Sequence, residues 1–230
     1  MIGGSREENA PVADRSEIRI RPYEARDRGA VRAIAIATAY GGEGDGLLDP
    51  ELFADLMTRY ATDFAPEGAW VAEWAAPPGT VVGYLAGGFA ERPVRRAMWR
   101  IAPAAVAAAI GRGLLCRRPL WRLLAALPRL LAAGGRRGEA DLAAYPAHLH
   151  VNLLPEARRR AVGRRLVESF LAEAARRGLP GVRATVLADN AGGRRFFERL
   201  GFRPLARLPA LRPPAIRGML DTKIVYGKKL

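Results

Sequence analysis

The chain has 230 residues and a mass of 24.9 kDa, half of them hydrophobic and 26 % charged. That size suits one large domain, and the composition excludes a disordered or fibrous protein over most of the length. A single cysteine, Cys116, and two histidines, His148 and His150, exclude a disulfide framework, a cysteine-based metal site and a multi-histidine metal centre, so no metal ligand is expected.

The net charge of +14 is concentrated in one place. Between Arg92 and Gly138 there are 11 arginines and no Asp or Glu, while the remainder of the chain is close to neutral. Lys223, Lys228 and Lys229 are the only lysines. A general bias towards arginine and a selected charge pattern both account for this.

Residues 1–17 read as a polar tail without an apolar leader segment, and with no disulfides the expected compartment is the cytoplasm. Ile18-Arg-Ile-Arg-Pro22 alternates, predicting a strand that runs into a helix with Asp27 as its N-cap. Val31, Ile34, Ala35 and Thr38 continue a helical stripe until Gly41-Gly42. Asp49-Pro50 starts a second helix, with Leu52, Leu56 and Tyr60 at helical spacing. Ala69 to Trp74 and Val81 to Phe89 form a hairpin across Ala76-Pro-Pro-Gly79.

Some fifty residues of insert follow, at about 91–145. Pro103 to Ile110 reads as a short Ala-rich helix. From Pro119, leucines fall on one side of a helical wheel and Arg118, Arg122 and Arg129 opposite, with Pro128 expected to kink it. The longest uncharged apolar run, Ile101 to Ile110, is far short of the roughly 20 residues of a membrane span.

His148 to Leu154 is a short strand, followed by an arginine-rich loop. Val162 to Arg177 is an amphipathic helix closed by Gly178. Val182 to Leu187 is a strand, Ala191 to Leu200 a short helix ended by Gly201, and Phe202 to Leu205 and Thr222 to Tyr226 are extended. Residues 18–230 thus form one α/β domain with a mixed sheet.

The chemistry concentrates where the strand at His148 turns into the helix at Val162. Unpaired N–H groups at a helix start, with the helix dipole, form a seat for pyrophosphate, and Arg158, Arg159, Arg160, Arg164 and Arg165 add cations that bind phosphate oxygens in pairs. Neither a P-loop nor a Rossmann glycine turn is present. A solvated basic loop before an ordinary helix is the plain alternative.

Arg158-x-x-Ala161-x-Gly163 resembles motif A of the GNAT acetyl-CoA-dependent N-acetyltransferases, with Ala161 in place of the first glycine. Asn190-Ala-Gly-Gly-Arg-Arg-Phe-Phe-Glu-Arg-Leu-Gly-Phe202 resembles their motif B, and Ile18 to Asp27 their first strand. The likeness covers nearly the whole chain outside Glu91 to Tyr145. His148-Leu-His-Val-Asn-Leu-Leu-Pro-Glu156 is further similar to the acetyltransferase-like domain associated with O-GlcNAc hydrolases.

The resemblance implies a GNAT fold, a mixed and mostly antiparallel sheet flanked by helices, that binds acetyl-CoA between two splayed strands. It places the acyl donor on Leu153, Leu154, Arg158, Arg159, Arg160, Ala161, Val162, Gly163, Arg164, Asn190, Gly193, Phe196 and Phe197. The N–H near Leu153 would polarise the thioester carbonyl. The expected reaction is direct attack by a primary amine, carried by a small molecule or a peptide. The alternative is a non-catalytic acetyl-CoA-binding or regulatory module.

Proton handling departs from the family pattern. Its usual acid is a tyrosine where this chain has Phe197, which leaves Tyr84, Tyr145, Tyr226 or water to protonate the leaving thiolate. His148, His150 and Asn152 share one strand face by period-2 alternation and are the candidate base system, with Glu73 and Glu91 as carboxylate alternatives. The insert could lie on anionic membrane, grip nucleic acid or pack its leucines on the domain beside the acceptor pocket. Packing is the expectation, with neither nucleic acid nor a membrane surface as partner and homodimerisation left open. Cys116 is expected to be a buried small apolar residue.

Overall fold

Seven strands pair into one sheet in the computed structural model, which describes residues 17–42, 47–76, 79–121, 124–125, 128, 143–211 and 220–230. The strands are β1 (Ile18–Pro22), β2 (Ala69–Trp74), β3 (Val81–Gly88), β4 (Ala147–Leu153), β5 (Gly181–Leu187), β6 (Arg203–Leu211) and β7 (Leu220–Lys229). They lie in the order β1-β2-β3-β4-β5-β7-β6. Every neighbouring pair is antiparallel except β4 and β5, which run parallel.

β3 sits between two packed layers, and all eight of its residues are buried. One face carries α4 (Val162–Arg176), whose Val162, Leu166, Val167, Phe170 and Ala174 pack with Val82, Leu85, Leu149, Val182 and Ala184. The other takes α1 (Arg28–Ala37), with Val31, Ile34 and Ala35 against Val71, Tyr84 and Ala86. Each large side chain so buried contributes about 1.5–3 kcal/mol. The helical stripes and strand alternations predicted from sequence are therefore the two faces of this sandwich.

Asp49 caps α2 (Pro50–Arg59) as predicted, its carboxylate accepting from Leu52 N at 2.7 Å. Asp27 does something else. It precedes α1 without capping it. Its carboxylate instead accepts from Glu24 N at 2.9 Å and from both terminal nitrogens of Arg21, at 2.6 and 2.8 Å. Arg21 also binds Glu73 at 2.8 Å, so a buried cation stitches β1, β2 and the start of α1 together.

The insert differs from its expected form. The short helix expected at Pro103 is the second half of α3 (Glu91–Gly111), 21 residues long. Pro103 lacks one helical N–H, but Ala97, Ile101, Ala105 and Ala109 form a buried stripe at four-residue spacing that holds the helix through it. The helix packs on α2, and Arg112 just beyond it grips the capping carboxylate of Asp49 at 2.6 and 3.0 Å.

The leucine stripe from Pro119 lies largely outside the described residues. Of its leucines that are described, Leu120 is half-buried and Leu124 exposed, and Trp99 and Trp121 are exposed as well. Cys116 is exposed too, because the tight turn of Leu114–Cys116 points Leu114 inward. Among the described residues no helix is long and apolar enough to cross a membrane.

Candidate active site

β4 and β5 pair over only three residues, Ala147–Leu149 with Val182–Ala184. Beyond Leu149 the two strands part. On its other edge β4 stays bonded to β3 as far as Leu154, whose N–H donates to Val82 O at 2.9 Å. Backbone groups of successive strand residues point to opposite edges, so the N–H of Leu153 faces the opening. Its carbonyl accepts from Arg158 Nε at 3.1 Å.

The chain then crosses two left-handed residues, Arg159 (φ 61°) and Ala161 (φ 58°), into α4. Ala161, where a glycine was expected, holds a conformation costing about 1–2 kcal/mol without one. No side chain caps α4 and no acidic residue lies in its first turn, so its leading N–H groups remain available to an anion. Gly163 lies under this turn, where a Cβ would come 3.3 Å from the Phe196 ring and 3.4 Å from Leu153 Cδ1.

Four of the five arginines predicted here are placed by their contacts. Arg158 braces Leu153, Arg160 stacks on Trp74, Arg164 pairs with Glu168, and Arg165 donates to Ile18 O. Asn190 caps α5 (Ala191–Arg199), its Oδ1 accepting from Gly193 N at 2.8 Å. Phe196 reaches Gly163, but Phe197 turns into an aromatic cluster with Phe202 and Tyr226 and is only 6 % exposed.

On the face opposite α4, a cavity of about 360 Å³ opens over the parted strands. His148 and His150 of β4 line it, with Arg183 and Thr185 of β5, Lys223 and Val225 of β7, Leu208 of β6, and Glu91, Val94 and Arg95 from the first turns of α3. The insert therefore does wall this cavity. Burial, with His150 and Arg183 nearby, pushes the pKa of His148 down to about 3, and its Nδ1 has no hydrogen-bond partner among the described residues. His150, exposed on the cavity side, is also pushed down, by desolvation and by Lys223. Both imidazoles are neutral at pH 7.

The other proton-handling candidates separate clearly. Glu73 lies on β2 in the Arg21 cluster, which lowers its pKa and occupies its carboxylate. Glu91 faces the cavity, 3.4 Å from Arg183. Tyr226 donates to Glu198 at 2.8 Å among the residues packed on the α4 face, and the Tyr145 ring lies against the backbones of Gly181 and Gly227. Tyr84 is the one joined to β4: its hydroxyl accepts from Asn152 Nδ2 at 2.7 Å. Burial pushes its pKa up to about 12, so it stays protonated.

Arg95, Arg183 and Lys223 were not among the expected site residues. Alternation alone puts Arg183 and Thr185 on one face of β5, but only the sheet register brings that face next to His148.

A strand edge freed by splaying, beside an uncapped helix start, defines a class. Residues 136–202 match the acetyltransferase (GNAT) family. SsHAT, a solved structure, is 27 % identical, with a TM-score of 0.66 over 92 % of this chain and 98 % of that one. The Salmonella typhimurium protein yncA, solved with its cofactor acetyl-CoA, is 17 % identical, with a TM-score of 0.53 over 93 % of this chain and 94 % of that one. A ribosomal-protein-alanine N-acetyltransferase from Brucella melitensis is 19 % identical, with a TM-score of 0.53 over 92 % and 99 %. The chain has the GNAT fold, and its segment from 136 to 202 is similar to the GNAT acetyltransferase family.

Proposed function

We propose that this protein is an acetyl-CoA-dependent N-acetyltransferase that moves an acetyl group to a primary amine within a ternary complex. The observation that carries the reading is the open edge of β4 at Leu153, lying beside the uncapped N-terminus of α4. The residues fit the donor: an N–H edge for the pantetheine arm, helix N–H groups for the pyrophosphate, and a missing Cβ at Gly163 that leaves room for close approach. When bound, acetyl-CoA supplies the acetyl group as an activated thioester, open to direct attack by an amine.

The chain's own residues then have distinct tasks. The Leu153 N–H polarises the reacting carbonyl, worth about 3–4 kcal/mol for a well-placed oxyanion donor. The amine arrives from the cavity face, where His150 accepts its proton. His150 is the more exposed of the two histidines and lines the cavity, which favours it over His148 as the acceptor. Asn152 fixes the Tyr84 hydroxyl with that proton free to be given to the leaving thiolate. The kinship to the domain of O-GlcNAc hydrolases belongs to this reading and rests on the His148–Glu156 phrase.

Thiol release from acetyl-CoA across a panel of amines tests the proposal. Turnover with at least one amine, slowed about tenfold or more in His150→Gln and in Tyr84→Phe, is expected. Tight acetyl-CoA binding without release from any amine would favour the non-catalytic module instead.

A further inference from the structure

The ionisable groups around the cavity are unbalanced. Arg95, Arg183 and Lys223 face it with one carboxylate, Glu91, and two histidines. These cations come from three separate elements, α3, β5 and β7. Arg95 and Lys223 have no acidic partner among the described residues. Arg183 divides its fork between Tyr145 O at 3.0 Å and Glu91 at 3.4 Å, the second longer than the roughly 2.7–2.9 Å of a well-made charge-assisted bond. A concave wall with an excess of positive charge focuses its field, so a plain alkylammonium would be repelled and a negative group drawn in.

We propose that the acceptor is a small amine bearing its own anionic group, a carboxylate or a phosphate, which Arg95, Arg183 and Lys223 hold while Glu91 receives the ammonium end. This rests on the acetyltransferase reading above. Arginine forks match both anions in paired hydrogen bonds, and lysine adds a point charge. Val94, Leu208 and Val225 supply a short apolar wall. The volume lies at the low end for ligand pockets, which suits a small molecule. Anchored through its anion, the acceptor amine would lie beside His148 and His150.

The two histidines are the only ones in the chain, so their ring NMR signals report directly on this cavity. Inorganic phosphate, succinate and putrescine are titrated into the full-length protein at matched ionic strength. Saturable shifts of the histidine signals with phosphate or succinate, but not putrescine, are expected. The anion that binds identifies the class. Arg95→Gln combined with Lys223→Gln should weaken that binding about tenfold or more. In the thiol-release assay, phosphoethanolamine or β-alanine should exceed ethanolamine in kcat/KM by a similar factor.

Shifts with putrescine alone, no shift with either anion, or unchanged affinity in the double variant would overturn the proposal. Anion binding without thiol release from any amine would instead overturn the acetyltransferase reading, and the acceptor assignment with it, while retaining an anion site.

Discussion

Gly163 and Phe196 meet across the start of α4: a Cβ on the glycine would lie 3.3 Å from the phenylalanine ring. The two segments that resembled the motifs of an acetyltransferase, far apart in sequence, thus close on each other at the donor site. A side chain at 163 must displace that ring or project towards the helix N–H groups.

Gly163→Asp is expected to abolish acetyl-CoA binding, because it sets a carboxylate where pyrophosphate must approach. Calorimetry should show a loss of about a hundredfold or more, with the circular dichroism spectrum unchanged. Unaltered affinity in a folded variant would remove α4 from the donor site.

His148 makes stability depend on pH in a known direction. Its folded pKa, about 3, lies below the 6.5 of a free imidazole, so between those values the unfolded chain binds the extra proton. The contribution is complete above about pH 6.5 and is lost progressively as pH falls towards 3. Urea midpoints measured from pH 7.5 to 5 should decline with acidification, and His148→Asn should flatten the decline. Equal slopes in the two proteins would contradict this.

Arg21 neutralises two buried carboxylates. Burial alone would raise the pKa of Asp27, but hydrogen bonds from Arg21 and Glu24 N bring it below its ordinary value, and Arg21 likewise lowers Glu73. Arg21→Met should cost about 3–5 kcal/mol by denaturant unfolding, since it strands both charges. Replacing Arg21, Asp27 and Glu73 together with apolar residues should recover most of that loss. Both carboxyls are depressed in the folded state, so this stability is present above their free values, 3.8 and 4.5, and is lost as pH falls below them.

Phe197→Tyr adds a hydroxyl to a ring enclosed by Phe196, Phe202 and Tyr226. An unsatisfied hydroxyl there should lower stability by about 1–3 kcal/mol and leave acetylation no faster. A faster variant would instead bring this position to the leaving group and displace Tyr84 from the role of acid.

Local chemistry made much of the architecture legible. Asp49-Pro50 states a helix start through its own hydrogen-bonding and φ, and the stripes of Val162 to Arg176 and Val31 to Ala35 state which faces are buried. The insert was harder to read. Pro103 argues locally for a helix boundary, yet a buried stripe on both sides of it outweighs one missing hydrogen bond.

The sequence by itself determined the order of strands and helices, the basic turn before α4, and the pairing of His148 with His150 on one face. These follow from periodicity, capping and charge, which neighbouring residues settle among themselves. Tertiary structure alone decided that β4 and β5 part after Leu149, that Phe196 rather than Phe197 reaches Gly163, and that Glu73 is bound to Arg21. It also decided that Arg95, Arg183 and Lys223 surround the histidines. Register and the docking of α3 join residues far apart in the chain, such as Arg95 and Lys223, and no local pattern encodes which long-range contact forms.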